Sequence, residues 1–144
     1  PMWPMHSDRS APCTPASDRG AVAVEFALIL PLLLVILFGI VQFGITFNRQ
    51  QGIHAAAREG ARIGSLPGTT SAEIEDRVMD ALDGVPLAST PTVTISPAVG
   101  WPCSAGAGSA TVIVTVEAET TLEIPLWGVA TVDLQSTGEF RCER

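Results

Sequence analysis

The sequence predicts an α+β protein: one long N-terminal helix, a second short helix, then a small antiparallel β-sheet. Three observations carry this. Of the 27 residues from Ala21 to Phe47, 21 are apolar, and no charge falls between Phe26 and Asn48. A Pro-Gly break at Pro67–Gly68 is followed by Thr70 with Glu73 three residues on, the pattern of a helix-starting capping box. From Pro91 the texture is rich in Val and Thr with period-two alternation. The overall hydrophobic content of 47% therefore averages very unequal pieces, which excludes a fully soluble domain with evenly spread apolar residues.

The long helix comes first. The 23 positions from Phe26 to Asn48 make a helix about 34 Å long, enough for a hydrocarbon core of roughly 30 Å. Glu25 and Arg49 close the run. A cleaved secretory signal fits poorly, because its apolar stretch would be about 7–15 residues long behind a positive start. Here Arg9 and Arg19 are offset by Asp8 and Asp18. Pro31 lacks an N–H and is expected to kink the helix or mark a locally melted turn. The helix should continue from Asn48 to Ser65 through Ala55, Ala56, Ala57 and Ala61. Ile53, Ala57, Gly60 and Ile63 share one face, whose small residues would let another helix approach. Arg58 and Arg62 are four apart, and read either as solvated arginines or as a docking face for an acidic partner subunit. With Arg49 they favour, by the positive-inside rule, a cytoplasmic location for the C-terminal side.

The second helix runs from Thr70 to about Leu82. Ile74, Val78, Ala81 and Leu82 form its apolar face, and Gly84 stops it. Strands are expected at Thr92–Ser96, Ala110–Glu119, Thr121–Ile124 and Thr131–Gln135, with a last short one around Phe140. Val112, Val114 and Val116 fall on one face. The Pro97–Gly108 stretch, rich in Gly, Ala and Pro, reads as a loop. The sheet should hold three or four strands.

The junction before the apolar run reads Asp18-Arg19-Gly20-Ala21-Val22-Ala23-Val24-Glu25-Phe26. A carboxylate one turn into such a segment is expensive without a partner; the plain alternative is that Glu25 sits at headgroup level. If the chain were cut after Gly20, the new ammonium of Ala21 would stand one helical turn from Glu25, a pairing strengthened by low dielectric. With Pro31-Leu32-Leu33-Leu34, Phe38-Gly39-Ile40, Phe43-Gly44 and Ala55-Ala56-Ala57-Arg58-Glu59-Gly60-Ala61-Arg62, the first third of the chain resembles the TadE-like pseudopilins of the tight-adherence (Tad/Flp) pilus.

The resemblance implies a type IV prepilin-like leader over 1–20, a membrane and assembly helix over 21–65, and an extracytoplasmic head over 66–144. It implies cutting between Gly20 and Ala21 by a prepilin peptidase, with the leader cytoplasmic and the head outside, against the arginine count. Glu25 and Phe26 would set helix register during pilus assembly. The implied partners are that peptidase, other pilins and pseudopilins, pilus-assembly membrane proteins and membrane lipid. The competing reading is an uncleaved, membrane-anchored extracytoplasmic binding module.

Cys13 would leave with the leader. Cys103 and Cys142 then remain as an even pair in the outward part, and oxidising surroundings favour a disulfide over two unpaired thiols. No His lies near either Cys, so no metal site is expected. Glu73, Glu75, Asp76, Asp80 and Asp83 read as a solvated acidic face; a weak calcium site is the alternative, without the Asp-rich loop that such sites use. His54 reads as a helix-surface residue rather than a base. Trp101 and Trp127 are expected in the core or rim of the head. No phosphate loop and no Ser/His/Asp set appear, so neither catalysis nor a cofactor is expected. All eight basic residues are Arg and the net charge is −7, which gives nucleic acid no electrostatic footprint.

Overall fold

The computed structural model describes residues 17–97, 103, 111–124 and 128–143, with side chains from residue 20 onward. Most of the leader with Trp3 and Cys13, the greater part of the 97–108 loop with Trp101, and Trp127 lie outside the described residues. The element order is α1 (Ser17–Gly64), α2 (Ser71–Ala81), β1 (Thr92–Ser96), β2 (Thr111–Ile124) and β3 (Gly128–Arg141). The α+β layout of long helix, short helix and antiparallel sheet is the one the sequence predicts. The chain divides into two compact units, Pro1–Ile36 and Leu37–Arg144.

α1 begins four residues ahead of Ala21, so the Gly20–Ala21 bond is inside helix. Ser17 and Asp18 are the residue types that helix starts favour, through capping and the dipole. The helix runs on through Pro31, so the turn there stays helical and is not melted. A proline removes one backbone bond, and the flanking leucines are good helix formers.

In the unit Leu37–Arg144, α2 has the expected capping box. The Glu73 amide donates to the Thr70 hydroxyl at 3.3 Å, and the Thr70 amide donates to the Glu73 carboxylate at 2.8 Å. Ile74, Val78 and Leu82 are buried at spacing four. Ala81, expected beside them, is exposed at the last residue of α2. After the C-cap at Leu82, Gly84 takes φ +83°, a left-handed conformation that favours glycine.

The sheet has three strands in the order β1-β2-β3, both pairs antiparallel. The separate segments expected at 110–119 and 121–124 form one strand, β2. The segments at 131–135 and around Phe140 likewise join as β3. The polar stretch Glu119-Thr120-Thr121 continues the ladder because Thr120 is fully buried and hydrogen-bonded by Arg49. Ser136 and Gly138 occupy inward positions of β3, where an apolar residue would be expected.

Alternate residues of β2, Val112 to Thr120, face a core closed by α1 and α2. From α1 this core receives Ile53, Ala56, Ala57 and Ala61, all fully buried. Burial of each Ile or Val side chain contributes on the order of 1.5–3 kcal/mol. The small-residue face does admit another helix, as expected, and that helix is α2 of the same chain. A Cβ on Gly60 would overlap Val78, and one on Gly64 would stand 2.8 Å from Ile74 Cδ1 and 3.0 Å from Val112 Cγ1. Cys103 and Cys142 form a disulfide with Cα atoms 5.5 Å apart. Beside it the Glu143 amide donates to the Ser65 carbonyl at 2.9 Å, fixing the C-terminal end to the end of α1.

Candidate functional site

The candidate site is the surface of α1. In the unit Pro1–Ile36, every residue from Gly20 to Ile36 is exposed. Ala21 and Glu25 are four apart on one helix face, one turn along the axis. Among the described residues Glu25 has no hydrogen-bond or ion-pair partner. Phe26 is 59% exposed and the apolar side chains that follow it are exposed in turn, Leu28 at 76% and Leu32 at 62%. A helix with an apolar surface on all sides calls for a surrounding other than water, and an unpartnered carboxylate at its end calls for a partner there. Among the described residues, α1 is the one helix long and apolar enough to cross a membrane.

The same helix in the unit Leu37–Arg144 has two faces. One meets the sheet through a polar seam. Arg49 donates to the Thr120 hydroxyl and, at 3.1 Å, to the Thr121 carbonyl. Gln50 donates to the Gln135 carbonyl at 2.9 Å, and His54 Nδ1 lies 2.8 Å from the Ser136 hydroxyl. The sequence does not by itself mark Arg49, Gln50 and His54 as a set. Their signal is the spacing of Arg49, Gln50, Ile53, His54 and Ala57, which places them around the buried Ile53. His54 is exposed as expected, with this added bond to β3. The other face carries Ile40, Phe43 and Phe47. Phe43 and Phe47 stack with ring centroids 6.2 Å apart, and are 72% and 55% exposed.

The two arginines of the suggested docking face differ. Arg62 lies 3.5 Å from Glu59, and Glu59 also meets Arg77 of α2 at 3.2 Å. Exposed pairs like these contribute about 0.2–1 kcal/mol. Arg58 is exposed and has no ion-pair partner among the described residues. Glu73, Glu75, Asp76, Asp80 and Asp83 are all exposed. Glu73 is drawn into the cap: the Thr70 amide first, then the Thr70 hydroxyl, holds its carboxyl below the ordinary value. Among the described residues no group of three or more His, Cys, Asp or Glu is placed to hold a metal.

Comparison with known proteins adds one finding. Residues 20–62 match the family model described as TadE-like protein. The matched segment begins on Gly20, ends on Arg62, and lies wholly within α1. No curated protein and no solved structure matches the chain. The TadE-like character of this segment implies a Tad pilus-associated membrane protein, and α1 is compatible with its membrane anchor.

Proposed function

We propose that this protein is a TadE-like minor pseudopilin: a single-pass protein of the bacterial cytoplasmic membrane, cut after Gly20 and built into a Tad/Flp pilus or its assembly machinery. It performs no chemistry and is itself the substrate of a prepilin peptidase. The observation that carries the reading is the family match starting at Gly20, on a helix whose apolar surface is bare from that point. The leader is cytoplasmic and the head extracytoplasmic. After the cut, the Ala21 ammonium and the Glu25 carboxylate lie one turn apart and satisfy each other within a chain or between staggered helices. Because the head fills the Gly60–Gly64 face, contacts with other pilins fall on the face of Ile40, Phe43 and Phe47. Of the two arginines, Arg58 is the one left open for an acidic partner.

The test is the intact mass of the protein taken from membranes with and without the peptidase. A difference equal to residues 1–20 is expected. An unchanged mass would leave the uncut, membrane-anchored binding module as the better reading. Replacing Glu25→Ala should then block assembly more than cleavage; unchanged assembly would remove the register role.

A further inference from the structure

The far end of the β2–β3 hairpin is unlike the rest of the head. Phe38, Gln42, Glu123, Ile124, Gly128 and Val129 line one shallow cleft. The two helix residues belong to the uncharged run that the sequence assigns to the membrane. Two independent rulers agree on the placement. At the Arg49 level the hairpin is fixed to the helix by the 3.1 Å bond to the Thr121 carbonyl. Ile124 lies three residues further along β2, about 10 Å at strand rise. Gln42 lies seven residues back along α1, also about 10 Å at helix rise. The hairpin therefore runs alongside α1 toward the apolar run.

The described residues toward this end of β2 and β3 are largely apolar and uncovered. Ile124 is 38% exposed and Val129 67% exposed, next to Gly128 and Ala130. Among the described residues there, the one charge is Glu123, which is exposed and is the cross-strand neighbour of Val129. A carboxylate there is incompatible with the hydrocarbon interior, while exposed Ile and Val beside it are poorly placed in bulk water. The headgroup layer accommodates both.

We propose that Ile124 of β2 and Val129 of β3 make a second membrane contact, seated in the lipid headgroup layer beside Phe38 and Gln42. The hydrocarbon span then ends at Val41 and not at Asn48. From Ala21 to Val41 the helix measures about 31 Å, which matches a hydrocarbon core of roughly 30 Å. Gln42 becomes the first residue in the headgroups, and the Phe43–Phe47 stack begins there. Glu25 falls one turn inside the membrane, where it needs the Ala21 ammonium. This inference rests on the membrane insertion of α1 in the preceding reading.

The test uses the full chain with Cys13→Ser, reconstituted in vesicles of phosphatidylethanolamine and phosphatidylglycerol. One cysteine is introduced at a time, at Leu33, Val129 or Glu139, and labelled with an environment-sensitive fluorophore. Quenching is read with iodide, with nitroxide on the lipid headgroup and with nitroxide at mid-chain. The Leu33 label is expected to lose emission most to mid-chain nitroxide, and the Glu139 label, at the far end of β3, only to iodide. The Val129 label is expected to lose emission most to headgroup nitroxide. A Val129 label that behaves like Glu139 overturns the second contact. One quenched most from mid-chain overturns the headgroup placement. If the Leu33 label also responds only to iodide, the chain does not insert, and the membrane reading falls together with this proposal.

Discussion

Gly138 of β3 lies directly against the backbone of Ala57 in α1: a Cβ at position 138 would overlap the Ala57 carbonyl, with the Arg58 amide nitrogen only 2.8 Å away. This is a backbone-to-backbone contact, so no side chain can rotate to make room. Gly138→Ala is expected to force strand and helix apart. The cost should lie at the upper end of the about 1–3 kcal/mol typical of overpacking. The check is the urea unfolding midpoint of the full chain in detergent, followed by circular dichroism. A midpoint equal to that of the unaltered protein would show that the two elements are not in contact as described.

Gly60 presents a related case with a different remedy. Here the added Cβ would meet the side chain of Val78, and only more loosely Val114 at 3.4 Å and Ile74 at 3.5 Å. Gly60→Ala should destabilise the head, and Val78→Ala should do so through loss of buried volume. Combined, they should cost less than the sum of the two, by on the order of 1 kcal/mol, because the second change makes room for the first. Strict additivity of the two unfolding free energies would contradict the packing of α1 on α2.

The disulfide closes the chain between Cys103 and Cys142 over a sequence separation of 39. By the loop-entropy estimate its removal costs on the order of 4 kcal/mol, a large share of the stability of a domain this size. Cys142→Ser should lower the unfolding midpoint by a corresponding amount. The unaltered protein should also migrate faster on a gel without reductant than with it. Equal migration under both conditions would mean that the bridge is absent.

Much of this layout is legible in the sequence, for reasons visible in particular residues. The capping box at Thr70 and Glu73 and the alternation of Val112, Val114 and Val116 depend on near neighbours, and near neighbours are what a sequence displays. What was missed depends on contacts made at a distance. Thr120 looks like a break between strands until Arg49, 71 residues earlier, supplies its hydrogen bond. Ser136 and Gly138 interrupt the pattern of β3 because His54 and the Ala57 backbone lie against them. The face of Ala57 and Gly60 reads equally well as a contact with a helix of another chain, because small residues state that something approaches without stating what. At the N-terminal junction the sequence supplies the residue types, and the structure adds their exposure and helical spacing.

The capping box offers the clearest pH test in the head. Glu73 accepts from the Thr70 amide at 2.8 Å and from the Thr70 hydroxyl at 3.0 Å, and its carboxyl is held below the ordinary value chiefly by the former. A lowered folded pKa means that the unfolded chain binds the proton more tightly. The contribution is therefore complete above the unfolded carboxylate value, and is lost as pH falls through the lowered folded one. Unfolding midpoints measured from neutral pH down through the carboxylate range, around pH 4, should fall for the unaltered protein. They should fall less for Glu73→Gln, which keeps an acceptor oxygen but carries no titrating charge. Thr70→Ala should cost about 1 kcal/mol at neutral pH by loss of the cap, and should also flatten the acid slope, because its hydroxyl is one of the two groups lowering the carboxyl. Identical acid slopes for the unaltered protein and Glu73→Gln would show that the carboxylate is not engaged at the cap.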